Sequence, residues 1–504
     1  MIKNFVEDFY QLSDQYGSKE AILFDDENGL SSISYHQLLF LVDQFNTELG
    51  DSRKVLSLLP NSVSKILYFL ASVSNGKDFC PLACFVTPLE VNNAIKIYKP
   101  DVCIVNEALV GQDVIDVLNA QSIKILKVKT FKVPLTQLTV EIGSKGIKKS
   151  GCLCLYTSGT TGAPKFLVIN LDKLWSSALN FCELYKLNSL DNLRFWNYLP
   201  MSYLGGLFNL CLIPLAAGAS FFIDEPFSGK TFLNFWNQVN RLRINILWFV
   251  PTIIKGLLKL YDQREIQTIL HPVSFSFLGT APIGLSEKKN FEQKFTLELN
   301  ENYGLSETTF ISAEVNKQLE REDGSVGEKS HQVDIKSVPY ENSDEEYDEL
   351  VGQIFVKTPF LFEGYLTAEG LVSPQVDADG YFNTCDLGII KNDGQLVIKG
   401  RTKDIIKKGG QLIFLKEIET LLAESGFANE YIAVSCKHSF YGESYNLFLK
   451  LDLKTNREII LTSVQEWIQK NISRNKWPER IIPVDEIPLT SSGKIQKHIL
   501  RELA

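Results

Sequence analysis

The chain has 504 residues, 45% of them hydrophobic and 22% charged, with 32 Phe and 18 Tyr. Such a composition buries large cores and excludes an intrinsically disordered protein. A formal net charge of −9 argues against a non-specific nucleic-acid binder. From Arg401 onward 16 Lys and Arg meet 13 Asp and Glu, so the last fifth is +3 and the remainder −12. A mildly basic tail suits an element that visits a phosphate-bearing site, and chance scatter of surface charge accounts for it equally well. Nine Cys include no CxxC pair and no His at metal spacing, which points to a reduced, cytoplasmic interior rather than a disulfide framework or zinc site. The N-terminus, MIKNFVEDFYQ, carries acids where a secretory signal needs a basic and then an apolar stretch.

In chain order, ISYHQLLFLVDQFNTEL (33–49) has apolar residues at helical spacing and KVLSLLP (54–60) reads as a strand. Residues 62–82 repeat the helix-then-strand pattern, and DVCIVN (101–106) is a further buried strand. Cys152 and Cys154 flank one residue of an apolar run, so they point the same way into a core. Leu207 to Ile223, the longest apolar run, is broken by Asn209, Pro214 and Gly218, and reads as buried helix, turn and strand rather than a membrane span. ENSDEEYDEL (341–350) reads as a solvated loop or edge. The alternation predicts an α/β protein with substantial parallel sheet. Near residue 400 the composition shifts. Residues 395–426 read as strand, turn, strand, Gly-rich loop and a helix from about Leu415. Strands around 431–437 and 445–453 and a helix around 459–472 follow. The expectation is a large domain, 1–400, and a small mobile α+β domain, 401–504, hinged near 401–404.

The strongest local signal is LYTSGTTGAPK, 155–165. Two glycines let backbone N–H groups converge, four hydroxyls add donors and a lysine adds charge, which together make an anion cradle. It is not a Walker loop, because Lys165 follows Ala163-Pro164 and the residue before proline avoids helical geometry. The chain is expected to fold back as a hairpin-like flap over phosphates. A bare Gly/Thr string is as often a surface turn.

With FLGTAPI (277–283), YGLSET (303–308), GQIFVKTPFLFEGY (352–365), DGYFNTCDLG (379–388), GRTKDIIKKGGQLIFLKEIE (400–419) and PLTSSGKIQK (488–497) following in order, the chain resembles the adenylate-forming superfamily end to end. That superfamily comprises acyl-CoA synthetases, amino-acid- and aryl-adenylating domains, and luciferases. The resemblance implies an AMP-forming ligase that uses ATP and Mg²⁺ to convert a carboxylic acid to an acyl-adenylate. The acyl group then passes to the thiol of CoA or of a carrier-protein phosphopantetheine.

It also implies residue roles. Thr157, Ser158, Gly159, Thr160, Thr161, Gly162 and Lys165 would grip the β- and γ-phosphates. Tyr303 would stack on adenine, Ser306 stands where the family usually has Thr, and Glu307 would hold Mg²⁺. Asp386 would accept from the ribose hydroxyls, with Cys385 where Gly is usual, and Arg401 would contact ribose or phosphate. Lys494 would bridge the acyl carboxylate and the α-phosphate, Lys403 would be the hinge, and Gly409 and Gly410 would admit a pantetheine arm. Taken alone, several of these residues read otherwise: Arg401 and Lys494 as solvated charges, Lys403 as a turn lysine, YGLSE as a strand-closing turn. None of His36, His271, His331, His438 and His498 lies in a motif, and a carboxylate already ionised at neutral pH needs no base.

By the same resemblance the acyl pocket is lined by the segments Tyr203–Gly206, Trp248–Val250, Gly279–Ala281 and Asn302–Leu305, with Tyr203, Gly279 and Thr280 foremost and Trp248 and Phe249 as aromatic lining or simply core. No acid stands between Phe195 and Phe222, which disfavours an α-amino acid, whose buried ammonium would lack a partner. CoA ligation leads, with carrier-protein loading, a non-catalytic adenylate-binding relative and a luciferase-like oxidase as alternatives.

Overall fold

The computed structural model describes residues 2–128, 149–158, 164–261, 272–281, 283–315, 317, 319–339, 351–408, 411–423, 425–452, 456–489 and 495–503. The charge run 341–350 therefore lies outside the described residues. Among the described residues the strands form sheets of thirteen, eight and five, with helices packed on them, a mixed α/β architecture with large parallel runs.

The first sheet has a parallel centre: Leu299–Leu305, Phe275–Leu278, Ile246–Phe249, Arg194–Asn197, Ser220–Ile223 and Glu20–Asp26 lie side by side. Beyond Leu299–Leu305 it turns antiparallel through Thr309–Ala313, Ser325–Lys329, Gln395–Arg401 and Phe382–Ile390. In the second sheet Lys54–Leu58, Asp78–Pro81, Val102–Val105 and Cys152–Ser158 run parallel. Cys152–Ser158 then pairs antiparallel with Pro164–Asn170. These central strands are buried on both faces, which is why they read as continuous apolar runs rather than alternating ones. The third sheet gathers Ile405–Lys408, Gln411–Phe414, Glu430–His438, Gly442–Lys450 and Arg480–Val484. A 3-10 turn, Thr402–Asp404, joins it to the end of Gln395–Arg401.

Local chemistry sets the boundaries. Ser34 and Gln37 form a capping box that starts the helix Tyr35–Leu49, and Thr87 and Glu90 do the same for Pro88–Tyr98. Val63–Val73 is buried all round and serves as a core helix. Cys154 is buried with Cys80 and Cys103 in one apolar layer against which Cys152 packs, and all nine Cys are free thiols. No helix among the described residues is long and apolar enough to cross a membrane.

The 207–223 run is helix, turn and strand, but its helical part is of two kinds. Gly205–Leu212 is a π-helix that passes into the short α-helix Ile213–Ala216 before the strand Ser220–Ile223. Asn197 Nδ2, at the end of a neighbouring strand, donates to the carbonyls of Gly206 (2.9 Å) and Leu210 (3.0 Å), so the widened turn has a side-chain partner built into the sheet.

A buried ionic cluster fastens the helix Leu285–Phe295 to two strands. Lys288, 2% exposed, donates to Glu301 (3.1 Å) and to Glu314, and Glu314 Oε2 also accepts from the Glu301 N–H (2.9 Å). Arg321, held by Glu292 at 2.8 Å, lies 4.0 Å from Glu314, and Asp323 adds negative charge nearby. Burial pushes the Glu301 carboxyl up from 4.5 to about 7 against the pull of Lys288. Its folded value lies above the unfolded one. The stability it contributes is therefore fully present below about pH 4.5 and is lost as pH rises through about 7. The melting temperature of the wild type minus that of Glu301→Gln should fall by a few degrees between pH 5 and pH 8, about the range this shift spans. A difference that stays flat across that range would show that Glu301 does not titrate there.

Candidate active site

The two arms of the phosphate-loop motif are an antiparallel hairpin, with Thr157 opposite Lys165 and Ser158 opposite Pro164. The turn back expected from Ala163-Pro164 is therefore present in the backbone. Gly159, Thr160, Thr161 and Gly162 lie outside the described residues, as does Lys494.

Lys165 projects from this hairpin onto Tyr365, its Nζ 3.4 Å from the ring centroid. The adjacency follows from the sheet, because Gly364–Thr367 pairs with Pro164–Asn170 and puts Tyr365 opposite Leu167. The Tyr365 hydroxyl donates in turn to Glu307 Oε1. Glu307 is fixed from its backbone too, its carbonyl accepting from the Phe362 N–H at 2.8 Å. The segment behind is clamped by Lys173, which bonds the Leu361 carbonyl and the Glu363 carboxylate, each at 2.8 Å. Burial, then the Glu307 charge, raise the Tyr365 phenol, so it stays a donor. Tyr365 thus holds the cation on its ring face and the carboxylate on its hydroxyl.

A second cluster lies across the antiparallel half of the first sheet. Asp386 and Arg401 are directly opposed on neighbouring strands, and Arg401 Nε meets Asp386 Oδ1 at 2.8 Å. The Tyr303 hydroxyl donates to Asp386 Oδ2 at 2.5 Å. Burial raises the Asp386 carboxyl, and Arg401 and Tyr303 oppose that shift. Both carboxylate oxygens are engaged, yet each keeps a lone pair for a further donor such as a diol. The two clusters feel each other, since the Glu307 charge acts on both Asp386 and Arg401.

The backbone explains several residue choices. In YGLSE, a Cβ on Gly304 would lie 2.0 Å from the Thr309 carbonyl oxygen, so only glycine allows the tight turn that contains Ser306 and Glu307. Cys385 has φ +59°, the left-handed region, which accounts for glycine being usual there. The Asn383 side chain accepts from the Cys385 N–H (2.8 Å) and Thr402 donates to its carbonyl (3.2 Å), holding a non-glycine residue in that bend.

Tyr203, Gly279 and Thr280 sit at the carboxyl ends of the parallel strands, where open α/β sheets place ligands. Tyr203 lies over Gly205, where a Cβ would come within 2.6 Å of its hydroxyl oxygen. A Cβ on Gly279 would lie 2.7 Å from Asn302 Oδ1, and Thr280 beside it has φ +77°. Phe249, expected as aromatic lining or as core, lies in the core. Strand alternation turns it away from Trp248 to pack on Phe235 and Phe291, while Trp248 packs on Phe181, Phe277 and Phe310. Lys403 lies in the 3-10 turn Thr402–Asp404. His36, His331, His438 and His498 take no part in the bonds of these two clusters, and His271 lies outside the described residues.

Sequence reading missed Tyr365 as a site residue. Tyr365 ends GQIFVKTPFLFEGY, a string that signals the family, but its link to Lys165 depends on strand pairing that local pattern does not reveal.

In sequence and in fold the chain is similar to known proteins. Malonate–CoA ligase of Arabidopsis thaliana is 28% identical over 373 residues, 69% of this chain and 60% of that protein. Indoleacetate–CoA ligase of Aromatoleum aromaticum is 28% identical over 353 residues, 70% of this chain and 67% of the other. The matched stretch thus takes up only about three-fifths of the Arabidopsis relative. In fold, ATP-bound MatB from Rhodopseudomonas palustris superposes with a TM-score of 0.82 at 23% identity, covering 99% of this chain and 98% of the other. The anthranilate CoA ligase AuaEII with anthranoyl-AMP gives 0.83 at 19%, covering 100% and 97%. The sequence pattern of AMP-binding enzymes matches residues 9–366, most of the chain, and with the hairpin and both clusters inside or just beyond that span, the protein belongs to the AMP-binding enzyme family.

Proposed function

We propose that the chain is an AMP-forming acid–thiol ligase: it joins a carboxylic acid to the α-phosphate of ATP, releases pyrophosphate, and transfers the acyl group to the thiol of CoA. The observation that carries this reading is the convergence of Lys165, Tyr365 and Glu307 with Tyr303, Asp386 and Arg401. That set supplies a cation, a metal-binding oxygen and a sugar-binding carboxylate beside a glycine-rich hairpin. The relatives named as CoA ligases favour CoA as acceptor over a carrier protein.

In this reading a substrate carboxylate attacks the α-phosphate in line with departing pyrophosphate. Two anions must approach, so the protein's contribution is placed charge rather than a nucleophile or a histidine base. The loop from Thr157 to Gly162 and Lys165 hold the β- and γ-phosphates. Tyr365 carries Lys165 on its ring face and Glu307 on its hydroxyl, so both stay beside the phosphates. Tyr303, with its hydroxyl tethered to Asp386, presents its ring to adenine. Asp386 uses its remaining lone pairs for the ribose hydroxyls, and Arg401 balances its charge.

The site suits Mg²⁺. Glu307 spends one carboxylate oxygen on Tyr365, and its second has no hydrogen-bond partner among the described residues. One carboxylate oxygen is the kind of anchor Mg²⁺ takes while keeping most of its waters, and the bound ion would neutralise phosphate charge.

Lys494 lies in the small domain proposed for 401–504 and carries the ammonium that bridges the acyl carboxylate and the α-phosphate. Once the adenylate exists, rotation about Lys403 removes it and brings the Gly409-Gly410 loop in for the thiol step.

Exchange of labelled pyrophosphate into ATP, screened over a panel of carboxylic acids, should show at least one supporting acid, with AMP and a CoA thioester formed when CoA is added; no exchange with any acid would end the ligase reading. Lys494→Ala should slow adenylation by about a hundredfold or more, while ATP affinity and turnover of a supplied acyl-AMP change far less. Equal loss in both half-reactions would remove the role given to Lys494. Lys403→Pro should still form adenylate yet fail to make thioester, and a normal thioester rate would remove the hinge.

A further inference from the structure

Asn302 is 7% exposed and its Nδ2 is buried with no hydrogen-bond partner among the described residues. A buried amide donor left unmade costs free energy comparable to a lost hydrogen bond, so such a group in a folded protein calls for an explanation. Trp248 presents the same case, fully buried with Nε1 unpartnered.

The two donors share one face. Trp248 pairs with Phe277 on adjacent parallel strands, Phe277 pairs with Asn300, and side chains two residues apart lie on the same side. Asn302 and Gly279 therefore extend the face that carries Trp248, Phe277 and Asn300, toward the carboxyl ends of the strands. Gly279 withholds a Cβ at the point where one would lie 2.7 Å from Asn302 Oδ1. Apolar rings back this face: Phe181, Phe277 and Phe310 all pack on Trp248.

We infer that the acid activated by this chain carries, besides its reacting carboxylate, a neutral hydrogen-bond acceptor that accepts from Asn302 Nδ2. A carbonyl, hydroxyl or ether oxygen has the required chemistry, and Trp248 Nε1 is the second donor on the same wall. The inference rests on the ligase reading above and names the substrate class of that site. A second carboxylate fits poorly. Among the described residues Lys317 reaches this face, where it is already held by Asn300 Oδ1 at 2.5 Å and by Glu298 at 2.7 Å, so a buried substrate anion there would meet the neutral donors Asn302 and Trp248. A plain hydrocarbon tail would leave both donors unpaired.

The test is acid-dependent pyrophosphate exchange with matched pairs: straight-chain acids, the same acids bearing an oxo, hydroxy or ether oxygen at successive carbons, and the corresponding dicarboxylates. The wild type should favour an oxygen-bearing acid over its hydrocarbon match by about tenfold or more in kcat/KM, and over the dicarboxylate likewise. Asn302→Leu should collapse that ratio to within about twofold, the loss of one neutral hydrogen bond's discrimination. Trp248→Phe, which keeps the ring packing, should narrow it, and melting temperatures of both variants establish that they fold. Should Asn302→Leu fold poorly, Asn302→Ala serves instead, since it removes the amide donor without adding bulk or charge. Exchange with hydrocarbon acids or dicarboxylates at equal or higher kcat/KM would overturn this inference and leave the ligase reading standing. So would a ratio unchanged in the folded Asn302 variants. No exchange with any acid would overturn both.

Discussion

The site hangs on one carboxylate. Asp386 is almost wholly buried, and burial alone would drive it neutral; the Arg401 guanidinium and the Tyr303 hydroxyl, one on each oxygen, oppose that drive. Those partners come from different strands. Asp386 and Arg401 face each other across one antiparallel pair, and Tyr303 arrives on the strand where the parallel centre of the sheet gives way to its antiparallel wing. The carboxylate therefore joins the two halves of the sheet at the place where nucleotide chemistry is proposed. Because a buried carboxylate stripped of a partner is strongly penalised, the geometry is set by electrostatics as much as by packing.

Glu307 and Lys165 are organised on the opposite plan. Tyr365 serves both, giving its hydroxyl to the carboxylate and its ring face to the ammonium. A direct ion pair would neutralise both groups and leave little charge for a ligand. An aromatic ring holds a cation by its quadrupole without cancelling it. The arrangement sets a positive and a negative group on one aromatic side chain, which is what a phosphate and its counter-ion require.

Much of this was legible in the sequence. Helical periodicity announced Tyr35–Leu49 and Val63–Val73, and the apolar runs 54–60 and 101–106 announced strands, because those signals arise within a few residues of the element they specify. Ala163-Pro164 foretold the return of the hairpin through a purely local restriction. What could not be read was pairing at a distance. Tyr365 meets Lys165 only because two strands two hundred residues apart lie side by side, and Lys288 meets Glu301 and Glu314 only after a helix and two strands assemble. Cys385 lay between the two cases. Its departure from glycine was visible in the string, and the positive φ that gives the departure meaning was not.

The π-helix Gly205–Leu212 has a consequence for how such a wall can change over generations. A π turn holds more residues than an α turn spanning the same rise, so the segment stores slack. Losing one residue from an ordinary helix swings everything beyond it by roughly 100° and scrambles the packing. Losing one here would relax the coil toward the α form and leave Ser220–Ile223 in register. The wall beside Tyr203 can thus be resized by a single-codon deletion, while the Asn197 amide, facing two carbonyls of the coil, marks where the slack would be taken up.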